Sequence, residues 1–271
     1  GAYPMKKLST TQLAMSYTGI FLGAGFVSGQ ELWQFFACFG PVGLIGFIGT
    51  AALFFYVNYA NLRLIQLTGQ EDMGRLMTCG DHPKLRAAVS AMQNLLLVGV
   101  CIIMIAGAST LIHQLLPIPA WLGGLFFTVI VAAVALLGMQ GLVAVFSLLV
   151  PVTTVMAVLL AAWVLIKNGF SFAPANGSVS ALMPNWIIGF VTYAAYNLFG
   201  TISILVPTAK LMDGKKTVRR GLSMGSVLLI VLAWSMIAAI SVLPSSGQNE
   251  LPTSALASGL HPTLSVAYSL L

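Results

Sequence analysis

Residues 23–31 read Gly-Ala-Gly-Phe-Val-Ser-Gly-Gln-Glu and interrupt the first long apolar segment of the chain. Lipid offers no partners to backbone groups that leave a helix, so an interruption at membrane depth persists only where it lines a protein cavity. Glu31 is also the only carboxylate placed deep inside an apolar segment. Ionisable residues are rare there and usually functional. These nine residues are therefore the strongest indication of a binding site in the sequence.

The composition predicts an all-α membrane protein. Of the 271 residues, 58% are hydrophobic and only 7% are charged, and the mean hydropathy is +0.96. A soluble domain carries about 25% charged residues. Apolar runs of the roughly 20 residues that a membrane helix needs recur along the whole length. No hydrophilic segment is long enough to form a separate soluble domain.

The apolar runs predict seven membrane spans and the start of an eighth, which begins at Pro262. With a cytoplasmic N-terminus, eleven of the twelve basic residues fall on one side and only Lys167 on the other. The positive-inside rule identifies that side as cytoplasmic, so the net charge of +6 reports topology and not nucleic-acid binding. We therefore expect a multi-pass protein of the bacterial cytoplasmic membrane. The spans are predicted at 10–38 (broken), 42–66, 87–115, 120–138, 142–167, 184–212 (broken) and 218–243.

The two ends of the chain carry their own expectations. Residues 1–4 resemble a remnant of cloning ahead of a native start at Met5. The apolar stretch from Pro262 to Leu271 is about half of a span, so the chain is expected to stop inside its eighth helix.

The first interruption has two explanations. Glycines at 19, 23, 25 and 29 allow unusual backbone dihedrals, and Ser28 with Glu31 fits a capping box, Ser-x-x-Glu. The helix would then stop near Gly23 and restart near Ser28, aiming a positive helix end at an anionic group and leaving free carbonyls for a small cation. Alternatively, the glycines form a face for close helix packing. The break is the favoured explanation because packing alone requires neither Ser28 nor Glu31.

Glu31 likewise has two possible roles. As a structural cap it stays ionised, held by backbone N–H groups of the restarted helix. As a coupling group it binds and releases a proton as substrate binds. The sequence leaves both roles open.

A second interruption is predicted at Tyr193–Thr201. Asn197 and Gly200 disfavour a regular helix, and Pro207 removes a further helix hydrogen bond. The alternative is an interfacial aromatic belt with an ordinary proline kink. Two interrupted spans in corresponding places of two halves indicate a transporter binding site. Three aromatic residues are expected to line it: Tyr193, Tyr196 and Phe199.

The spacing of the two interruptions predicts an inverted repeat. Five spans begin with the first broken helix, and the sixth is broken again. Because five is odd, the second half enters the membrane from the opposite side. The first repeat would occupy 5–168, and an incomplete second repeat, with helices 6, 7 and the start of 8, would occupy 169–271.

With broken helices 1 and 6 in a 5+5 arrangement, the sequence resembles the LeuT fold of the amino acid–polyamine–organocation superfamily. More narrowly, residues 23–31 beside Phe35-Phe36 resemble the YkvI-type bacterial membrane proteins. The resemblance implies a substrate carboxylate on N–H groups near Ala24, Gly25 and Phe26, with residues of helix 6 opposite. It also implies a possible sodium ion on the carbonyls of Gly19 and Leu22, with hydroxyls of helix 8 beyond Leu271. The substrate-binding residues expected in full are Gly23, Ala24, Gly25, Phe26, Ser28, Tyr193, Tyr196, Asn197, Phe199 and Gly200.

The function expected from these features is secondary active transport of a small zwitterionic solute through alternating access, and the resemblance implies an amino acid as that solute. Coupling to a proton or to sodium would involve Glu31, Gly19 and Leu22, in symport or exchange. A channel and a non-transporting scaffold or sensor are the alternatives. An enzyme is not expected, because the chain has no His-Glu-x-x-His, no buried aspartate pair and no Gly-x-Ser-x-Gly motif. No cofactor beyond a possible sodium ion is expected, and the partners are the solute and the lipid bilayer. Buried amides such as Asn58 and Gln93 are expected to make interhelical hydrogen bonds.

Overall fold

A computed structural model describes residues 7–23, 26, 28–69, 75, 78, 82–169, 180–243, 253 and 256. The regular structure of these residues is helical, apart from one isolated parallel bridge between Leu8 and Met212. Among these residues, two 3-10 helices, Ala37–Phe39 and Val206–Leu211, follow the α-helices that end at Phe35 and Leu205. The α-helices are α1 (Thr10–Phe21), α2 (Gln30–Phe35), α3 (Val42–Thr68), α4 (Pro83–Leu115), α5 (Ala120–Leu136), α6 (Gly138–Asn168), α7 (Trp186–Leu205) and α8 (Gly214–Val242).

The prediction of an all-α membrane protein is confirmed. Within the described residues, four helices are long and apolar enough to cross a bilayer, namely α3, most of α4, α6 and α8, and α5 and most of α7 are shorter apolar helices. The helices α4, α6 and α8 begin at Pro83, Gly138 and Gly214, each four residues before the predicted start. Their first turns carry polar, basic or glycine residues, which continue the helix although the apolar run has not yet begun. The predicted eighth span, from Pro262, lies outside the described residues.

Helix α1 lies at the centre of the fold because two glycines of α8 let the two backbones approach closely. A Cβ added at Gly225 would lie 2.5 Å from Cδ1 of Tyr17, and one added at Gly221 would lie 2.6 Å from Cδ2 of Leu13. The Thr18 hydroxyl, besides bonding within α1, donates to the Gly225 carbonyl at 3.2 Å. Small residues at such a crossing allow close packing of membrane helices. The first helix is therefore held in place by α8 along two of its turns.

The helices differ sharply in how much of them the protein covers. In α8, 56% of the apolar window is buried, but in α4 only 6% is. Helices α4 and α5 form a hairpin in which Gly123 and Gly124 lie against Ile112 and Ser109. A hydrogen bond of 2.9 Å from Gln93 in α4 to the Phe199 carbonyl joins this hairpin to α7. The core is thus formed by α1, α3, α6, α7 and α8, with the α4–α5 hairpin at its periphery.

Three segments that the basic-residue pattern assigns to the cytoplasmic side lie together at one end of the bundle. The Leu8 N–H donates to the Leu211 carbonyl at 2.7 Å, and Lys7 forms an ion pair with Asp213. Gln66, near the end of α3, donates to the Met212 carbonyl at 3.4 Å. The start of α1, the end of α3 and the connection between α7 and α8 therefore share one end, as the predicted topology requires. The side of the membrane that this end faces stays a prediction.

Candidate functional site

The predicted interruption of the first span is present. Helix α1 ends at Phe21, and the Leu22 N–H donates to the Gly19 carbonyl at 3.1 Å in place of the regular helical pattern. Two further short turns follow, from the Phe26 N–H to the Gly23 carbonyl at 3.0 Å and from the Gly29 N–H to the Phe26 carbonyl at 3.1 Å. Phe26 and Ser28 are themselves helical, and α2 begins at Gln30 after the Gly29 cap. The described residues of the interruption satisfy these backbone groups locally, as an environment without water requires.

The predicted capping box is wrong. Gly29, with φ 84°, is the N-cap of α2, and no side chain caps the helix. This left-handed conformation suits glycine and places Ser28 one residue outside the helix, where its hydroxyl accepts from the Gln30 N–H at 3.4 Å. Glu31 is therefore the second residue of α2 and not the reciprocal partner of Ser28. A complete capping box occurs instead at the start of α1, between Ser9 and Gln12, where the signal Ser-x-x-Gln was present but overlooked.

Both explanations of the glycines hold, at different positions. Gly19 is a packing residue, because a Cβ there would lie 2.4 Å from Cδ1 of Phe146 in α6, whereas Gly29 provides the left-handed cap. The Gly19 carbonyl, one of the two expected sodium ligands, already accepts from Leu22. Within the described part of the chain, no group of three or more His, Cys, Asp or Glu side chains is arranged to hold a metal ion.

The described residues include only part of the expected binding site for a substrate carboxylate. Ala24 and Gly25 lie outside the described residues. The Phe26 N–H donates to the Gly23 carbonyl at 3.0 Å, and binding of a substrate carboxylate near Ala24, Gly25 and Phe26 stays a prediction. The Phe26 side chain is buried and lies edge-on to Phe47, with ring centroids 6.3 Å apart. Phe26 therefore anchors the interruption to α3.

Glu31 and Tyr193 come together across the interface of α2 and α7. Phe35, one helical turn after Glu31, packs against the Tyr193 ring, which brings the Tyr193 hydroxyl within electrostatic range of the Glu31 carboxylate. The hydroxyl has no hydrogen-bond partner. Its ring is fully buried and contacts Phe35 and Phe36, each with centroids 5.1 Å away. Tyr196, one helical turn further on and 40% exposed, also lies within electrostatic range of Glu31. The structure thus joins two residues that the sequence had assigned to separate roles.

The predicted second interruption is wrong as placed. Helix α7 runs without a break from Trp186 through Asn197 and Gly200 to Leu205, and passes into a 3-10 helix only at Val206, next to Pro207. The Asn197 amide donates to the Tyr193 carbonyl at 3.1 Å, and the Thr201 hydroxyl donates to the Leu198 carbonyl at 3.3 Å. Their polar groups are therefore satisfied by their own helix. The two interruptions do not lie at the same depth, since the first comes after 12 helical residues and the second after 20.

Two interhelical polar contacts surround this region. Gln93 bonds the Phe199 carbonyl, as expected for a buried amide. A second contact was missed: the hydroxyls of Ser226 and Tyr17 bond at 3.4 Å between α8 and α1. Asn58 lies close to Tyr17 but donates within α3, to the Phe54 carbonyl at 2.8 Å. A single tyrosine in a long apolar helix carried no pattern that could have revealed its partner.

Comparison with known proteins agrees with the membrane assignment. The chain is 25% identical over 253 residues to YkvI of Bacillus subtilis (strain 168), an uncharacterized membrane protein, covering 91% of this chain and 70% of YkvI. It is 24% identical over 203 residues to YyaD of the same strain, an uncharacterized protein, covering 72% of this chain but only 55% of YyaD. No family model and no solved structure matches the chain. The similarity to YkvI and the apolar helices together indicate a multi-pass membrane protein.

Proposed function

We propose that this protein is a secondary active transporter of a small zwitterionic solute, such as an amino acid, that works by alternating access with proton or sodium coupling. The observation that carries the proposal is the interruption between α1 and α2. The protein encloses it, because Phe26 and Gly29 are buried, and α2 packs against α7 and α8. Discontinuous helices near the bilayer midplane form the substrate and ion sites of many secondary transporters.

Glu31 supports the same function. Its carboxylate is half-buried one residue after the Gly29 cap, and a carboxylate in a membrane segment is expensive unless it serves a pathway or a coupling step. The proposed site consists of the interruption, Glu31 and the facing side of α7 at Tyr193 and Tyr196. The LeuT-type inverted repeat, with halves 5–168 and 169–271, belongs to this proposal, as does the location in a bacterial cytoplasmic membrane with a cytoplasmic N-terminus.

Ligand binding to the purified protein tests the proposal first. The twenty amino acids are screened for thermal stabilisation, with and without sodium and at acidic and neutral pH. A solute at about 100 times its Kd stabilises the folded state by about 2.7 kcal/mol, which raises the Tm of a protein of this size by about 5 to 10 °C. A solute that stabilises the protein is then followed into proteoliposomes under a proton or a sodium gradient.

Saturable uptake that collapses with the gradient is the expected result. Uptake that is lost in Glu31→Gln and kept in Asp213→Asn, the other described carboxylate, would place the pathway at the interruption. Absence of both stabilisation and uptake under every gradient would refute transport and favour the scaffold or sensor. Flux that does not saturate and far exceeds carrier rates would refute alternating access and favour a channel.

A further inference from the structure

The Glu31 carboxylate lacks a counter-charge in the described part of the chain. The one ion pair formed by described residues joins Lys7 to Asp213 at the end of the bundle. Among the described residues, Tyr193 and Tyr196 of α7 lie within electrostatic range of Glu31, and Tyr193 packs against Phe35 and Phe36 at the end of α2. An ionised carboxylate in an apolar, partly buried place is unfavourable unless a proton or a cation neutralises it. One positive group at the site would therefore neutralise the Glu31 carboxylate.

The Tyr193 hydroxyl adds a second and independent indication of a ligand. Tyr193 is 0% exposed and its hydroxyl has no hydrogen-bond partner. Leaving a buried hydroxyl unpaired costs about 1–3 kcal/mol. Its ring is fixed by Phe35 and Phe36, and by Phe54 at 6.3 Å, so the hydroxyl cannot turn away to find another partner. It is held where it can bond a carboxyl group that accepts or gives up a proton.

The other titratable groups near α2 belong to the elements that pack against it. Helix α2 packs against the 3-10 helix Ala37–Phe39, α7 and α8. In the 3-10 helix, the Cys38 thiol donates to the Gln34 carbonyl at 3.3 Å. Helix α7 contributes Tyr193 and Tyr196. The charged residues of α8 lie in its first two turns and are Lys215, Lys216, Arg219 and Arg220.

We propose that the Glu31 carboxylate binds either a proton or the ammonium group of the transported solute, and that Tyr193 positions it for this exchange. This inference rests on the proposed function and makes it more specific. When the ammonium group arrives, the carboxylic acid releases its proton to solvent and the carboxylate receives an N–H donor, so charge is conserved at the site. The exposed part of Tyr196 offers its ring to the same cation, an interaction that favours ammonium groups.

The exchange has a consequence for coupling. Proton and ammonium group cannot occupy Glu31 together, so the solute and the proton move in opposite directions through one site. Linkage also fixes the pH dependence: below the midpoint at which Glu31 titrates, solute affinity falls by about tenfold for each pH unit. Proton exchange is thereby distinguished from sodium symport, in which sodium raises the affinity.

Infrared difference spectroscopy of the purified protein in lipid tests the inference without requiring transport. The probes are the proton, ethylammonium chloride, sodium chloride and sodium propionate, the salts at equal ionic strength. In wild type, acidification should produce, besides the bands of the other carboxyl groups, one carbonyl band of a protonated carboxylic acid that Glu31→Gln removes and Asp213→Asn retains. Ethylammonium should abolish this band at a fixed acidic pH, whereas sodium chloride and propionate should leave it unchanged.

The positioning role of Tyr193 is tested with a matched pair of variants. Tyr193→Phe should move both the frequency of the band and its titration midpoint, whereas Tyr17→Phe, which removes an equally buried hydroxyl bonded to Ser226, should move neither. Glu31→Asp keeps a titrating acid and serves if Glu31→Gln does not fold. The proposal is overturned if the band survives in Glu31→Gln, if ethylammonium leaves it unchanged, or if sodium removes it equally well. Loss of solute uptake with an intact, ammonium-sensitive band would refute the proposed transport and leave the site standing.

Discussion

Gly200→Ala decides whether α7 is continuous through the segment where the sequence predicted a break. In the structure Gly200 is helical, and an added Cβ would have Leu96 Cδ2, at 3.9 Å, as its nearest neighbour. This is an ordinary van der Waals distance, so alanine fits without strain. Alanine is favoured over glycine inside a helix by up to about 1 kcal/mol. We expect Gly200→Ala to raise the free energy of unfolding by about 0.5 to 1 kcal/mol.

Reversible unfolding in mixed micelles measures this change, with Gly225→Ala as the control. Both glycines are helical, but a Cβ at Gly225 would lie 2.5 Å from Cδ1 of Tyr17 and 2.9 Å from the Ala14 carbonyl oxygen. Overpacking of this kind costs about 1–3 kcal/mol, so the two alanine variants should move in opposite directions. If Gly200→Ala instead destabilises the protein or abolishes solute binding, α7 requires an unwound backbone at Gly200 and the continuous helix is incorrect.

Three further predictions concern the contacts around the site and the end of the bundle. Gln93→Leu should lower the free energy of unfolding by about 1–3 kcal/mol because it removes a buried hydrogen bond to the Phe199 carbonyl. In the same micelle titration, Asn94→Leu, which changes the neighbouring exposed residue, should alter the free energy of unfolding by less than about 0.5 kcal/mol. Gly29→Ala should be destabilised by about 1–2 kcal/mol because φ at Gly29 is 84°. Gly99→Ala should not lose stability, because an added Cβ there has open space around it. Equal losses of stability in thermal unfolding would contradict the left-handed cap. Asp213→Asn should lower the free energy of unfolding by less than about 1 kcal/mol, since both partners of its ion pair with Lys7 are more than half exposed. This difference in stability should vanish when unfolding is repeated in high salt. A loss of stability that persists in high salt would show a buried role for Asp213.

The first interruption could be predicted because its cause is local. Glycines and a carboxylate within nine residues of an apolar segment are incompatible with an ordinary lipid-facing helix. The residue at which α2 begins could not be predicted, because the local sequence allowed either Ser28 or Gly29 to cap the helix. Ser28 offered a side-chain cap, but Gly29 could adopt a left-handed backbone that serine adopts far less readily. The structure uses Gly29 as the N-cap of α2, one residue after the cap that the sequence predicted.

The second interruption failed as a prediction because residue type does not determine where a polar side chain directs its hydrogen bonds. The sequence predicts that Asn197 disfavours a regular helix at this point, yet its amide bonds to a carbonyl of its own helix, as the Thr201 hydroxyl does. Such residues use this pattern in continuous membrane helices. The approach of Tyr193 to Glu31 lay beyond sequence reasoning for a different reason. It depends on the packing of α2 against α7, which no local pattern specifies.

The close glycine contacts divide the core into two groups that the interruption connects. On one side, Gly19, Gly221 and Gly225 fix α1 against α6 and α8. On the other side, the end of α2 is fixed by the Phe36 carbonyl, next to Gly43 of α3, and by the Phe35 carbonyl, 3.0 Å from a Cβ added at Gly189 of α7. Helices in such close contact move together or not at all, because packed interfaces are not continuously deformable. If the protein alternates between two states, a change in the relative orientation of the two groups must also move the contact between α3 and α8, where Trp234 Nε1 donates to the Leu44 carbonyl at 2.9 Å. Glu31 and Tyr193 then travel together on one of the two groups.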